Sequence, residues 1–334
     1  MEQTREATRQ RRKGRTPPYR EDGHGRRARR PEQIPDKGWR DIIMRVKNQI
    51  GEDNLSIVAA GVAFFAFLAI FPAIAALVSI YGLVVDPQIV QQQLQQVAGF
   101  FPAQSRQLIS QMLQQIAAGS QQGLGWGLAI SLLLALWGAN KGTKALFTGI
   151  NIVYNEHDDR GFIKQNALTL LFSLGGILLA VVSLALVVAL PAILGILGLP
   201  LWGHIAARIF RWLLLTVVVL GGLSLLYRYA PDRNKPRWQW ITWGSGIATV
   251  LWLVASWAFS FYVSNWGSYN KTYGSLAAVV ILLLWFMLTS FTFLLGAEIN
   301  SEMEAQTQED TTVGPDKPIG ERNALKADTV SESP

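Results

Sequence analysis

Polar side chains near the ends of long apolar stretches are the groups of this chain that could do chemistry in a membrane. Asn140, Lys144 and Asn151 follow one another at i, i+4 and i+11, which places them on one face of a helix. Glu298 ends an apolar stretch and is the first charged residue after Lys271. These groups predict a polar vestibule at one mouth of a helical bundle, and ordinary interfacial hydrogen bonding is the alternative. The predicted vestibule consists of Asn140, Lys141, Lys144, Asn151, Arg228, Glu298 and Asn300.

A second polar group precedes the last apolar stretch and consists of Tyr269, Asn270, Tyr273 and Ser275. It could form a gate at the opposite mouth, although aromatic residues are also typical of the headgroup level of a membrane. Within the vestibule, an ion pair between Glu298 and Lys144 or Lys141 is compatible with the spacing. Independently solvated edge charges are the alternative.

Hydrolytic and metal chemistry need clustered ligands, and the sequence does not place its candidates together. The chain has no cysteine and three histidines, of which His24 lies in the N-terminal region, His157 in an inner loop and His204 on the outer side. Metal-dependent hydrolysis requires ligands that converge on one or two ions. We therefore expect no enzyme activity, no catalytic residue, no metal and no cofactor. The stretch "GANKGTK" lacks the phosphate-loop pattern, and Gly138 and Gly142 instead predict close helix packing.

Composition and patterning predict an all-α integral membrane protein. Half of the 334 residues are hydrophobic and 16% are charged, whereas about 25% are charged in an average soluble protein. The apolar residues form blocks of roughly 20, the length that crosses a hydrocarbon core of about 30 Å. Because Pro191 breaks the third block, we expect that helix to end near Leu190 and to lead into a re-entrant or surface turn. The six predicted spans are about 56–81, 124–147, 167–190, 209–227, 240–263 and 274–297.

Charge and periodicity predict the remaining regions. Residues 1–38 are rich in Arg, Gly and Pro and predict a disordered basic tail, and residues 301–334 predict a disordered acidic tail. The membrane domain is predicted over residues 39–300. Residues 86–123 have helical spacing and almost no charge, which predicts a helical outer segment between the first two spans. A short amphipathic helix on the membrane face is predicted before the first span from Trp39, Ile43, Val46 and Ile50.

Basic residues in short loops mark the cytoplasmic side of a membrane protein. With the N-terminus inside, 26 of the 30 Lys and Arg residues fall in inner segments. This distribution predicts that both termini are cytoplasmic.

Four stretches of the chain resemble a known family. They are "AAGVAFFAFLAIFPAIAAL", "WGANKGTKALFTGINIVYN" followed by Arg160, "YRYAPDR" and "YNKTYGSLAAVVILLLWFMLTSFTFLLGAEIN". Over about residues 40–300 the chain resembles the YihY/BrkB family of bacterial inner-membrane proteins, sometimes labelled ribonuclease BN or virulence factor. The resemblance implies a multi-pass protein of the bacterial plasma (inner) membrane with six spans and both termini cytoplasmic. It brings no settled biochemical activity.

These observations predict a transporter or exporter of a small solute, ion or lipid-like molecule. The alternative is a non-transporting envelope protein that organises lipids or partner proteins. Ribonuclease activity is not expected. The expected partners are membrane lipids and an unidentified small solute or ion, no nucleic acid is expected, and a second copy of this chain stays open as a partner.

Overall fold

The computed structural model describes residues 23–84, 121–196, 201–266 and 276–331. The residues in these ranges form seven α-helices. The backbone pairing between Pro236 and Thr312 is an isolated β-bridge and not part of a strand. The all-α fold is therefore confirmed for the described part of the chain. The helices are α1 Asp36–Glu52, α2 Leu55–Val84, α3 Gln121–Val153, α4 Phe162–Ile196, α5 Leu201–Tyr229, α6 Trp238–Trp266 and α7 Ala277–Glu304.

Five helices in the described ranges are long and apolar enough to cross a membrane. The second predicted span is also helical, as α3, but it is not among the five, and its final third contains Lys141 and Lys144. The five candidate spans are Leu55–Ala75, Phe162–Ser183, Ile205–Tyr229, Trp238–Asn265 and Ala277–Glu304.

Helix α4 runs past its predicted end. It continues through Pro191 to Ile196, so the prediction of an end near Leu190 is wrong. Proline removes one backbone hydrogen bond, but membrane helices tolerate this where neighbouring groups satisfy the freed carbonyl. Pro72 likewise lies inside α2. The turn was predicted directly after Leu190, where α4 instead continues; residues 197–200 lie outside the described residues. Of the predicted outer segment, residues 86–120 also lie outside them, and residues 121–123 begin α3.

The helices pack around α7, which contacts α1, α2, α3 and α6. Helix α4 contacts α3 and α5, and α5 contacts α6, so α3, α4, α5, α6 and α7 close a ring. Helix α2 packs against α3 and α7 on the outside of this ring. The approach of α2 and α3 is close at Gly138, where an added Cβ would lie 2.9 Å from the Cβ of Ala69. This contact agrees with the close packing predicted from the small residues of α3.

Buried apolar side chains gather at one end of the bundle. The core includes Leu55 at the start of α2, Ile150 near the end of α3, Leu226 near the end of α5, Ile241 at the start of α6 and Ala297 near the end of α7. These five positions lie at the ends of the helices that the charge distribution predicts to be cytoplasmic. Large apolar side chains of α4 and α5 are exposed, as suits helices that face lipid.

The predicted amphipathic helix forms as α1, with a different buried stripe. Asp41, Ile42 and Val46 are buried, whereas Ile43 is 64% exposed. Helix α1 packs against α7. Its buried stripe is therefore defined by protein contacts, which the periodicity of α1 alone does not reveal.

The described parts of both tails are ordered, and the prediction of disorder is wrong for them. Residues 23–38 and 301–331 are joined by hydrogen bonds from Thr307 Oγ1 to Ala28 O (2.7 Å) and from Gln308 N to Arg26 O (2.8 Å). Local composition indicated disorder because neither tail has a periodic apolar face. The partners that satisfy their polar groups come instead from the other end of the chain.

Two loops join the tails at the same end of the bundle. The residues that follow α7, 305–331, are called the C-terminal segment. Leu325 N donates to Glu156 Oε1 at 2.6 Å, which connects the C-terminal segment to the loop between α3 and α4. Arg237 N donates to Thr311 O at 2.8 Å, which connects the C-terminal segment to the loop between α5 and α6. Arg160 links the two loops, because its Nη2 donates to Ala230 O at 2.7 Å.

Candidate functional site

Glu298 lies near the end of α7 and is completely buried. Ser301 Oγ donates to Glu298 Oε1 across 3.4 Å, while Glu298 Oε2 accepts no hydrogen bond within the described residues. The charged groups that act on this carboxyl are Lys326, Asp53 and Glu302. Glu298 is therefore an interior group of the folded chain rather than a boundary residue in contact with water.

The predicted lysine partners of Glu298 are engaged elsewhere. Lys144 Nζ donates to Asn166 Oδ1 at 2.5 Å, so the first turns of α4 hold it. Lys141 is exposed, and its Nζ lies 5.8 Å from the ring centroid of Trp137. The ion pair is not formed because α3 presents these lysines to α4 and to the outside of the bundle.

Two asparagines of the predicted vestibule join helices and loops. Asn300 Oδ1 accepts a hydrogen bond from Gly244 N at 2.9 Å, which joins α7 to α6. Asn151 Nδ2 donates to Phe147 O at 3.0 Å within α3. Asn151 Oδ1 accepts from Asp232 N at 2.9 Å, which joins α3 to the loop between α5 and α6. These contacts fit the alternative of interfacial hydrogen bonding.

Arg228 and Asn140 also lie apart from Glu298. Arg228 Nη1 donates to Pro236 O at 3.0 Å, and its guanidinium carbon lies 4.3 Å from the ring centroid of Trp238. Asn140 Oδ1 is buried and has no hydrogen-bond partner in the described part of the chain. The seven vestibule residues are thus distributed over α3, α5 and α7 and do not converge on Glu298. The predicted outer group, consisting of Tyr269, Asn270, Tyr273 and Ser275, lies outside the described residues.

Glu298 belongs to a group of three carboxyls, Asp53, Glu298 and Glu302, which we call the carboxyl cluster. Glu302 Oε1 accepts from Lys326 Nζ at 2.5 Å, and Glu302 Oε2 accepts from Arg45 Nε at 2.6 Å. The side chain of Glu302 is 3% exposed. One carboxyl of the cluster is therefore fully paired, by a cation from α1 and a cation from the C-terminal segment.

The other two carboxyls of the carboxyl cluster, Asp53 and Glu298, lie next to each other. Asp53 is the residue that follows α1, and its carboxyl lies within hydrogen-bonding reach of the Glu298 carboxyl. Burial raises the pKa of Asp53, and the nearby carboxylates of Glu52 and Glu302 act in the same direction. Asp53 Oδ2 accepts no hydrogen bond within the described ranges.

A second buried ion pair lies beside the carboxyl cluster. Arg233 Nη2 donates to Glu304 Oε2 at 2.6 Å, and both side chains are fully buried. Thr311 Oγ1 donates to the same oxygen at 2.9 Å. The guanidinium of Arg233 lies 4.6 Å from the ring centroid of Tyr154. This pair joins the end of α3, the loop between α5 and α6, α7 and the C-terminal segment.

Most of these charged groups were not among the residues predicted from the sequence. Glu302 follows Glu298 at i+4, so the two carboxyls lie on one face of α7. This spacing is visible in the sequence if the last helix is taken to continue past residue 297. Asp53 lies at a helix end and gave no signal of its own. Lys326 could not be found, because it lies in a segment whose composition predicted disorder.

A cavity of about 350 Å³ lies between α4, α5 and α6. Ligand sites in proteins typically measure about 300–1,000 Å³. Thr249 is eleven residues into α6 from Trp238, or roughly 17 Å along the helix axis, so the cavity lies near the middle of the predicted membrane. The lining is mostly apolar and consists of Ala180, Ser183, Trp212, Leu215, Thr216, Val219, Thr249, Trp252 and Leu253.

Two of the three hydroxyl groups in the cavity wall donate to carbonyl groups of their own helices. Thr216 Oγ1 donates to Trp212 O at 2.9 Å, and Thr249 Oγ1 donates to Ser245 O at 2.7 Å. Their oxygens keep acceptor capacity. The cavity therefore suits an apolar or amphipathic molecule better than a bare ion. None of the seven predicted vestibule residues lines it.

The family model for the virulence factor BrkB matches residues 46–319. The chain belongs to the BrkB family. This family membership confirms the resemblance drawn from the four sequence stretches.

Named relatives of this BrkB-family chain include one long match and several short ones. A Bacillus subtilis protein named as ribonuclease-like protein YfkH is 28% identical over 252 residues, which is 73% of this chain and 88% of the relative. A UPF0761 membrane protein of Tolumonas auensis is 37% identical over 84 residues, or 25% of this chain and 28% of the relative. One from Xanthomonas campestris is 36% identical over 97 residues, or 29% of this chain and 23% of the relative. No solved structure matches the chain.

The region shared with the BrkB family contains the three carboxyls of the carboxyl cluster. Arg45 and Lys326, the two cations that pair with Glu302, lie just outside the matched residues. Within the residues that the structure describes, no group of three His, Asp or Glu side chains is arranged to hold a metal ion.

Proposed function

We propose that this BrkB-family chain is a transporter or exporter of the bacterial inner membrane that moves a small amphipathic or lipid-like molecule. In this proposal the five apolar helices and α3 make six spans, and both termini are cytoplasmic. The proposal includes no enzymatic activity and no ribonuclease activity.

The cavity between α4, α5 and α6 carries the proposal. It lies near the midplane of the predicted membrane, and many transporters bind their substrates at that depth. Apolar walls with a few hydroxyl groups favour a molecule with a long apolar part and a small polar part. Of the substrate classes predicted from the sequence, which were small solutes, ions and lipid-like molecules, we therefore propose an amphipathic molecule.

The distribution of charge supports the proposed orientation. Both described tail segments and the loops that follow α3 and α5 meet at one end of the bundle. The inner segments of the predicted topology contain 26 of the 30 Lys and Arg residues, as expected for a cytoplasmic face. The buried core also lies at this end of the bundle.

Flux measurements on the reconstituted full-length chain test the proposal. Liposomes would contain trapped ions and small solutes, and a fluorescently labelled phospholipid would report movement between leaflets. We expect the wild type to move an amphipathic probe. Ser183→Trp should abolish this movement, because the indole would fill part of a cavity that the Ser183 side chain lines.

The adjacent variant Val182→Trp is the matched control. Val182 is 41% exposed and does not line the cavity, so this variant should keep wild-type flux. Equal flux in wild type and Ser183→Trp would remove the cavity from the pathway. The absence of flux for every probe would contradict the proposal and favour a non-transporting envelope protein that organises lipids or partner proteins.

A further inference from the structure

The carboxyl cluster has more negative than positive charge. Asp53, Glu298 and Glu302 supply three carboxyls, and the cations that face them are Lys326 and Arg45. Two further titratable groups interact with the pair of Asp53 and Glu298, namely Glu52 on α1 and Tyr154 after α3. If all three carboxyls were ionised, the cluster would hold one negative charge without a compensating cation.

Glu302 takes both cations. Its two oxygens accept from Lys326 Nζ at 2.5 Å and from Arg45 Nε at 2.6 Å. Arg45 Nη2 is also engaged, because it donates to Gln306 Oε1 at 2.6 Å. The pair of Asp53 and Glu298 is therefore left without a directly bonded cation.

One oxygen of each carboxyl in the pair of Asp53 and Glu298 lacks a hydrogen-bond donor. Glu298 is completely buried, and neither Glu298 Oε2 nor Asp53 Oδ2 accepts a hydrogen bond in the described part of the chain. The two carboxyls lie within hydrogen-bonding reach of each other. Two carboxylates that share a buried site cannot both stay ionised at low cost. One proton between them removes the excess charge and supplies the missing donor.

We propose that Asp53 and Glu298 form a proton-binding site that holds one shared proton, and that the Lys326 ammonium sets the affinity of this site. The raised pKa of Asp53 described above supports the proposal. Because the pair is coupled, the proton belongs to both carboxyls rather than to one. Folding creates this site by bringing Asp53, which follows α1, to Glu298 near the end of α7.

The site is a property of the folded chain, and a role in coupling protons to transport rests on the proposed function. Withdrawal of Lys326 would leave the carboxyl cluster more negative, so the pair would bind its proton more tightly. Docking of the C-terminal segment, which brings Lys326 to the carboxyl cluster, would weaken proton binding by the pair. Proton binding and docking of this segment are therefore linked.

Infrared spectroscopy of the purified full-length protein tests the site directly. We expect the carbonyl-stretch band of a protonated carboxyl at neutral pH in the wild type. Asp53→Asn and Glu298→Gln should each abolish the band, because either amide supplies a donor to the remaining carboxylate. Both variants imitate the protonated pair and should fold normally. Asp316→Asn is the control and should keep the band, since Asp316 is 68% exposed.

A band that survives in both variants, or a wild type without the band at neutral pH, would overturn the proposal. Lys326→Met should move the midpoint of the band's titration to higher pH, whereas Lys326→Arg should leave it close to that of the wild type. An unchanged midpoint in Lys326→Met would refute the role of Lys326.

The spectra and the flux measurements fail independently. If the band behaves as expected but no probe moves through the protein, the transport proposal fails and the proton site stands. If probes move but the wild type shows no band, the proton site fails and transport stands.

Discussion

Arg233 and Glu304 have no exposed side-chain surface, and Arg233 Nη2 lies 2.6 Å from Glu304 Oε2. Burying two ions costs several kcal/mol for each ion, and their attraction repays that cost only when the geometry is good. Thr311 Oγ1 adds a hydrogen bond of 2.9 Å to Glu304. At the scale of the residue, the fold thus depends on charges that are buried together.

Arg233→Met should lower the free energy of unfolding by about 3–5 kcal/mol, because it leaves the Glu304 carboxylate buried without its cation. Denaturant unfolding in detergent micelles measures this. The double variant Arg233→Met/Glu304→Gln should lose less than the sum of the two single variants, as expected for directly coupled groups.

An exposed pair provides the comparison for Arg233→Met. Arg237 and Asp316 are 34% and 68% exposed, so Asp316→Asn should cost less than about 1 kcal/mol. Equal losses in Asp316→Asn and Arg233→Met would show that burial of the Arg233–Glu304 pair does not matter.

At the scale of the element, α6 and α7 approach each other through two glycines. A Cβ on Gly244 would lie 2.3 Å from Asn300 Oδ1 and 2.5 Å from Gly296 O. Tyr227 OH donates to Phe293 O at 2.7 Å, so α5 is joined to the same part of α7. The helices can meet here only because the glycines leave the backbones free to approach.

Gly244→Ala should destabilise the protein by about 1–3 kcal/mol, the range expected for overpacking a tight contact. The added methyl group would displace the Asn300 side chain and break its hydrogen bond to the Gly244 backbone. Thermal unfolding in detergent measures the effect.

Gly246→Ala is the matched control on the same helix. A Cβ on Gly246 meets nothing within 4 Å, so this variant should leave the stability unchanged or raise it, since alanine favours helix more than glycine does. If both variants behave alike, the close approach of α6 and α7 is not a source of stability.

At the scale of the whole molecule, two tails and two loops close one end of the bundle. The C-terminal segment is central, because it contacts the N-terminal region, both loops and the carboxyl cluster. Asp310 organises this segment by accepting hydrogen bonds from Thr312 N and Lys317 N, each at 2.9 Å. Although burial acts to raise it, the pKa of Asp310 is lowered by these backbone hydrogen bonds.

Acid should therefore release the C-terminal segment. Because the folded-state pKa of Asp310 lies below its unfolded-state pKa, its contribution to stability is present above the unfolded-state value and is lost as the pH falls through the folded-state value. Pepsin digestion at decreasing pH should cut the segment progressively faster in the wild type. Asp310→Asn should be cut readily with little added acid dependence, because it has no carboxylate to protonate.

The exposed variant Asp316→Asn should follow the wild type in this assay. An acid dependence that is the same in wild type and Asp310→Asn would assign the release to another group. The pH dependence of stability that Asp53 contributes has the opposite sign to that of Asp310. The pKa of Asp53 is raised, so its contribution to stability is lost as the pH rises.

The helical membrane fold and the family were predictable because they depend on local properties. An apolar block long enough to cross a bilayer is visible in any window of the sequence, as in residues 277–297. The small residues around Gly138 likewise indicated close helix packing, and the structure shows that the partner of α3 there is α2. The boundary at Leu190 was wrong, because the effect of a proline depends on what surrounds the helix.

The carboxyl cluster could not be predicted, because its members come from separate parts of the chain. Arg45 and Glu302 are 257 residues apart in the sequence. Lys326 lies in a segment whose composition is typical of disordered regions. Its ammonium group is buried in the folded chain, where it donates a hydrogen bond to Glu302. Composition thus establishes that the chain is a helical membrane protein, since hydrophobicity is additive along the chain. Which charges meet away from water depends on contacts between distant segments, and those exist only in the folded molecule.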